Sequence, residues 1–152
     1  MNQLMFNITE PESYWIKVNK GDISCRLLAD RHYSRQHQGN RQFCRPGKNL
    51  VLRTAAGDAV WVTWAGIRDD KFDSWECTLF RNESGNLSSE LICQAVDITK
   101  KYWGNLPSDG ITTTVASDKI RSVNPGYCFK MAGWKHIGRT KVNGLIILQY
   151  KE

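Results

Sequence analysis

A histidine and a tyrosine stand next to each other at positions 32 and 33, within the segment "ADRHYSRQ". A histidine side chain titrates near neutral pH, so it can accept a proton from an attacking amine. A tyrosine can donate a proton to a leaving group, or its ring can stack on a nucleic-acid base. Arg31 and Arg35 flank the pair. These residue types are compatible with a catalytic site and with the alternative, an ordinary polar turn, and residues farther along the chain favour the site.

Three residues farther along the chain carry chemistry that would complete such a site. Arg81 lies near the end of a predicted strand, and its planar guanidinium can bind a phosphate or a developing negative charge through paired hydrogen bonds. Asp118 follows another predicted strand and could act as a base or only cap the next turn. Tyr127 follows the turn Asn124-Pro125-Gly126 and could donate a proton or fill the core.

The net charge of +6 is distributed unevenly. Residues 31–57 and 119–151 contain arginines and lysines but no acidic residue, and aromatic residues are interleaved with them. This pattern predicts a polyanionic partner, either double-stranded DNA or a phosphate-rich cofactor, although a solvated basic surface is the alternative. The candidate nucleic-acid contacts are Arg31, Arg35, Arg41, Arg45, Lys48 and Arg121.

The cysteines and the hydropathy limit the class of protein. The five cysteines include no CxxC pair, so we expect free, mostly buried thiols and no zinc site. No metal ligands are assigned, but a cluster around His32 and Tyr33 leaves iron or another metal open as an alternative. The sequence lacks an apolar run of membrane-spanning length and a signal peptide, which predicts a cytoplasmic protein with no membrane contact.

Hydrophobic periodicity predicts the elements that must position these residues. The first helix covers "NKGDISCRLLADRHYS", with Asp22 as its cap and Ile23, Leu27 and Leu28 at helical spacing. A hairpin of "LVLRTA" and "VWVTWAGI" follows, and then the strand "WECTLFRN".

The second half of the chain continues with the longest predicted helix, "LSSELICQAVDITKKYWG", which Ser88 or Ser89 could cap and Gly104 would end. The strand "GITTTVAS", a short helix up to Gly133 and a final hairpin with an Asn143-Gly144 turn complete the order. This order predicts one α/β or α+β domain over residues 1–152, with a mixed sheet and about three helices.

The central strand, turn and long helix resemble the GNAT acyltransferase superfamily. In that family, backbone N–H groups at the start of the helix hold the pyrophosphate of coenzyme A. The family pattern Q/R-x-x-G-x-G/A is present here in part, and the resemblance implies cofactor contacts from Arg81, Gly85, Asn86 and Ser88. The segment "NPGYCFKMAGW" is similar to the last part of the family's fold, where a tyrosine, here Tyr127, often serves as the general acid.

A closer resemblance is to the Mom-like phage proteins that modify adenine in DNA, an outlying branch of this superfamily. The matching catalytic positions are His32, Tyr33, Arg81, Asp118 and Tyr127. The resemblance implies a transferase that adds a small acyl-derived, carbamoylmethyl-type group to the N6 amine of adenine, which protects phage DNA from restriction. The group donor would be acetyl-coenzyme A or another activated acyl or glycyl compound, and the setting would be the host-cell cytoplasm.

Two other classes of function remain open alternatives. One is a coenzyme A-dependent N-acyltransferase that acts on a small-molecule or protein amine, and the incomplete glycine pattern of "RNESGNLS" argues against it. The other is a non-catalytic nucleic-acid-binding module, which would leave the histidine, tyrosine, arginine and aspartate series without a role. A homodimer is compatible with each of these functions.

Overall fold

The computed structural model describes residues 13–32, 42–117 and 124–152 of the chain. These residues form ten helices and strands, in the order β1 (Trp15–Val18), α1 (Ile23–Asp30), β2 (Lys48–Thr54), β3 (Ala59–Ala65), β4 (Trp75–Asn82), α2 (Ser88–Trp103), β5 (Ile111–Val115), α3 (Tyr127–Met131), β6 (Lys135–Arg139) and β7 (Ile146–Tyr150).

The seven strands form one sheet in the order β1-β2-β3-β4-β5-β7-β6. Every neighbouring pair is antiparallel except β4 and β5, which are parallel. The predicted α+β architecture, with a mixed sheet and three helices in the described part of the chain, is therefore confirmed. Strand β1 was missed because it is four residues long and only Trp15 is buried, too short a pattern for periodicity to detect.

The sheet lies between two hydrophobic clusters because side chains alternate across each strand. On one face, Trp61 of β3 packs with α2 and with Phe129 and Trp134. On the other face, Val60 and Val62 pack against α1. The sheet therefore has α1 on one side and the other two helices on the opposite side.

Local signals placed most helix ends, but one helix face and one helix cap differ from the prediction. Asp22 caps α1, since its carboxylate accepts the Cys25 N–H at 3.0 Å. Ile23 and Leu27 are exposed, however, so the predicted inward face of α1 is wrong at these two positions. Helix α2 has Leu87 at its N-cap without a side-chain cap hydrogen bond, so the predicted serine cap is also wrong.

The C-terminal end of α2 and the last hairpin agree with the sequence. Gly104 ends α2 at a φ of 86° and donates its N–H to the Lys100 carbonyl. Asn143 and Gly144 both have positive φ values, 71° and 60°, as a tight hairpin turn requires.

Strands β4 and β5 pair only at their first residues. Trp75 lies opposite Ile111 and Glu76 opposite Thr112, and no later pairs follow. On the other side of β4, the pairing with β3 passes from Leu79 to Cys77, so Thr78 is an extra, bulged residue. The separation of β4 from β5 begins after Glu76, the bulge lies in the middle of β4, and the candidate site is found beside these residues.

Candidate active site

A cavity of about 370 Å³ opens where β4 and β5 separate. This volume lies within the range of small-molecule sites. Its walls come from β4, from β5, from the turn before α3, from α3 itself and from His32, which lies two residues after α1. The lining residues are His32, residues 77–80, residues 113–115, Asn124 and residues 126–129.

His32 lies two residues after the end of α1 and lines this cavity. Its backbone N–H still bonds to the Ala29 carbonyl at 3.0 Å, so the helical path continues to His32. Burial and, to a smaller extent, the positive charge of Arg81 together lower the pKa of His32 to about 4. The imidazole is therefore neutral at pH 7 and able to accept a proton.

Tyr127 is the first residue of α3 and is 55% exposed, in contrast to the buried Phe129. The core-packing alternative therefore does not describe Tyr127. Gly126 places it there with a φ of 76°, and a Cβ atom at Gly126 would lie 2.5 Å from Leu148 Cδ1. The close approach of the turn to Leu148 thus requires glycine.

A second hollow of about 400 Å³ lies at the start of α2. Three of the predicted cofactor contacts, Gly85, Asn86 and Ser88, line it. Tyr127 and Cys128 line both hollows, so the hollow at α2 adjoins the cavity between β4 and β5. The first N–H groups of a helix have no partner within the helix, and they suit the phosphate groups of a donor.

The loop beside this hollow is shaped by Asn82, which the sequence analysis did not single out. Its side-chain amide donates to the Asn86 carbonyl at 2.8 Å and to Ser88 Oγ at 2.9 Å. Its carbonyl oxygen accepts the Ser84 N–H at 2.9 Å. A Cβ atom at Gly85 would meet no atom within 4 Å, so the space beside the loop is open to a ligand. The residues present therefore fit a phosphate-bearing donor.

Arg81 lies in an ion-pair group that we call the Glu83 cluster, formed by Arg31, Arg81 and Glu83. Arg81 Nε contacts Glu83 Oε2 at 2.6 Å, and Arg31 contacts the same carboxylate at 2.7 and 3.0 Å. The hydrogen bonds from Arg31 and then from Arg81 lower the pKa of Glu83 to about 2. Glu83 is a further residue that sequence reasoning missed, since nothing local relates it to Arg31.

Thr78, the bulged residue of β4, is another residue that sequence reasoning missed. Its hydroxyl oxygen is buried and has no hydrogen-bond partner in the part of the chain that the structure describes. Thr78 also lines the cavity. A buried hydroxyl without a partner is costly, and such groups are uncommon in folded proteins. An unpaired hydroxyl at a cavity wall is suited to a polar ligand.

Two cysteines also line the cavity, Cys77 and Cys128. Burial raises the pKa of both thiols, so they stay protonated at neutral pH. A protonated thiol is a poor nucleophile. The arrangement therefore favours proton transfer through His32 over covalent catalysis by cysteine.

Arg45 and Lys48, two of the predicted nucleic-acid contacts, lie away from His32. Arg45 contacts Glu76 at 3.2 Å, at the beginning of β4, and its guanidinium lies 3.8 Å from the Trp64 ring centroid. Lys48 Nζ lies 4.6 Å from the Trp103 ring centroid. The structure thus brings Arg31 and Arg81 together on Glu83, near His32, and places Arg45 and Lys48 at the other end of β4.

Several predicted site residues lie outside the described residues, and their assignments stay predictions. These are Tyr33, Arg35, Arg41, Asp118 and Arg121. Among residues 13–32, 42–117 and 124–152, no group of three or more His, Cys, Asp or Glu side chains could hold a metal ion. No helix in these ranges is both long enough and apolar enough to cross a membrane.

No family model, curated protein or solved structure matches the chain. The site is therefore characterised by its own geometry: a neutral histidine, an exposed tyrosine and the beginning of a long helix around two adjoining hollows.

Proposed function

We propose that this protein is a GNAT-like transferase of the Mom-like kind, which adds a small acyl-derived group to the N6 amine of adenine in DNA. The observation that carries the proposal is His32, which is neutral and lines the cavity between β4 and β5. The order of a strand, a turn and a long helix at the centre of the chain agrees with the resemblance seen in the sequence.

The chemistry of the acceptor explains why a neutral histidine is useful. The lone pair of an exocyclic base amine is delocalised into the ring, so the amine is a weak nucleophile until a base removes its proton. His32 is placed to accept this proton as the new nitrogen–carbon bond forms. A base inside a duplex is out of reach of any cavity, so the adenine has to leave the stack to enter.

The other residues act on the donor side. A bound donor, for which a coenzyme A thioester is the class that the resemblance implies, supplies the electrophilic carbon. Gly85, Asn86 and Ser88 would hold its phosphates beside the first turn of α2. As the bond from that carbon to the leaving group breaks, the leaving group takes the electron pair, and the Tyr127 hydroxyl supplies its proton.

The test is mass spectrometry of nucleosides from the DNA of cells that express the protein. We expect a heavier adenosine in cells with the wild-type chain and its loss, by about 100-fold or more, with His32→Asn. The matched control is His136→Asn, because His136 lies on the exposed strand β6, away from the cavity. Asp118→Ala tests the predicted second base in the same experiment.

Unchanged nucleosides in cells that contain soluble, folded protein would overturn the proposal. The second candidate, an N-acyltransferase that acts on a small-molecule or protein amine, would then be favoured, because the hollow at the start of α2 could serve it equally well. Acetyl-coenzyme A should in that case raise the melting temperature in a saturable manner, since a ligand that binds only the folded state stabilises it.

A further inference from the structure

The Glu83 cluster places two guanidinium groups on one carboxylate next to the cavity. Arg31 directly precedes His32, and the charge of Arg81 reaches the imidazole. Arg31 and Glu83 are 52 positions apart in the chain, so the cluster joins the end of α1 to the end of β4. Two positive charges and one negative charge leave the cluster with a net charge of +1.

The carboxylate of Glu83 can be replaced by a ligand with little loss. The exposed fractions of the three side chains are 49% for Arg31, 33% for Arg81 and 32% for Glu83, and ion pairs at such exposure contribute little to stability. The Glu83 backbone N–H is bonded to the Asp58 carbonyl at 2.7 Å. The loop therefore has an anchor of its own if the Glu83 side chain turns away.

The geometry also indicates which ligand could take the place of the carboxylate. Arg31 binds both oxygens of Glu83, and Arg81 binds one of them. A phosphate offers the same paired oxygens, and guanidinium groups bind phosphate in this bidentate manner. The carboxylate thus occupies the position in which two phosphate oxygens would be held.

We propose that Arg31 and Arg81 form a phosphate-binding site beside His32 and that Glu83 occupies this site until a ligand displaces it. The ligand class is a phosphodiester or diphosphate group. One part of this proposal rests on the proposed function, namely that the phosphate belongs to the DNA strand whose base enters the cavity. The site itself depends only on the three side chains.

The experiment measures binding of a short fluorescein-labelled single-stranded DNA by fluorescence anisotropy. Glu83→Gln is compared with Glu152→Gln, which removes the same charge from an ion pair with Lys100, near the C-terminal end of α2. Both variants carry the same net charge, so long-range attraction is matched between them. We expect Glu83→Gln to bind about fivefold more tightly than Glu152→Gln, since it no longer competes for the two arginines.

Substitution of the arginines gives the second arm. Arg31→Gln and Arg81→Gln should each weaken binding and reduce the slope of log affinity against log salt by about 0.7, the loss of one phosphate contact on a single strand. Arg81→Lys keeps the charge but not the planar fork, and it should bind about threefold more weakly than the wild type. Circular dichroism melts establish that each variant is folded. Equal affinities for Glu83→Gln and Glu152→Gln, or unchanged salt slopes in both arginine variants, would overturn the site.

A competition arm separates the sources of the phosphate. If the site holds the DNA backbone, inorganic pyrophosphate at matched ionic strength should not displace the labelled DNA, whereas displacement by pyrophosphate would assign the site to a diphosphate-bearing donor. If modified adenosine is found but Glu83→Gln and Glu152→Gln bind the DNA equally, the phosphate site is refuted and the proposed function is kept. The reverse result, tighter binding by Glu83→Gln without any modified nucleoside, would keep the site and remove that function.

Discussion

The two ends of β4 carry the same set of charges in different surroundings. At the closed end, where β4 pairs with β5, Glu76 contacts Arg45 and Arg68, each at 3.2 Å. At the open end, where the cavity lies, Glu83 contacts Arg31 and Arg81. Each carboxylate thus has two arginine partners, but the side chain of Glu76 is 17% exposed and that of Glu83 is 32% exposed.

Burial makes the pKa shifts of the two carboxyl groups opposite in direction. Desolvation raises the pKa of Glu76 in spite of its two arginines, whereas hydrogen bonds from the arginines lower the pKa of Glu83 to about 2. At the closed end Arg68 is also bound to Asp70 through two hydrogen bonds. A buried charge without its partner is strongly destabilising, whereas an exposed one is readily hydrated. The closed-end charges therefore hold the structure together, while the open-end charges are available to a ligand.

The largest expected effect concerns two glycines, one at each end. A Cβ atom at Gly110, whose φ is 68°, would lie 1.9 Å from the Tyr150 carbonyl oxygen, whereas one at Gly85 would meet no atom within 4 Å. We expect Gly110→Ala to lower the free energy of unfolding by at least about 3 kcal/mol and Gly85→Ala to leave it nearly unchanged. Urea denaturation measures both. Equal stability of the two variants would contradict the conclusion that contacts at the closed end hold the structure together.

Two arginine substitutions, one at each end of β4, test the same comparison with a smaller expected change in stability. Arg68→Met removes the guanidinium that most offsets the burial of Glu76, and it should lower the free energy of unfolding by about 2 kcal/mol. Arg31→Met removes a half-exposed partner of Glu83, and it should change the melting temperature by less than about 2 °C. Thermal and urea unfolding of the two variants, side by side, would refute the comparison if Arg31→Met proved the more damaging.

Substitution of two threonines that line the cavity should change the free energy of unfolding by about 1 kcal/mol, in opposite directions. The Thr113 hydroxyl donates to the Cys77 carbonyl at 2.8 Å, but that of Thr78 is buried without a partner in the described part of the chain. We expect Thr113→Val to lower the free energy of unfolding by about 1 kcal/mol and Thr78→Val to raise it by about 0.5–1 kcal/mol. A loss of stability in Thr78→Val would show that its hydroxyl already has a partner in the free protein.

The smallest effect is the change in the pKa of His32 when Arg81 is removed, which NMR can follow. The His32 pKa of about 4 lies below the usual 6.5, so the folded protein binds this proton less readily than the unfolded chain. The stability that His32 contributes is therefore complete above pH 6.5 and is lost as the pH falls toward 4. Arg81→Gln should raise the pKa of His32 by less than about one unit, because burial, the larger cause, remains. A pKa near 6.5 in the wild-type protein would place His32 in solvent.

Local patterns were sufficient for most of the fold. Periodicity predicted α2, and Asp22 and Asn143-Gly144 predicted a cap and a turn, because each depends on residues a few positions apart. The serine cap of α2 could not be predicted correctly, because Asn82, from the preceding strand, bonds to Ser88 Oγ. Ile23 and Leu27 have helical spacing, but the position of the sheet decides which side of α1 is covered.

The candidate site likewise has properties that follow from the sequence and properties that follow only from the tertiary structure. The sequence by itself determined which side chains can do chemistry, among them His32, Arg81 and Tyr127, since residue type sets proton affinity and charge. Only the tertiary structure decided that His32 is buried enough to stay neutral and that Arg31 and Arg81 share Glu83. These properties arise from the separation of β4 from β5 and from contacts between distant segments, because desolvation and Coulomb interactions depend on distances in space rather than along the chain.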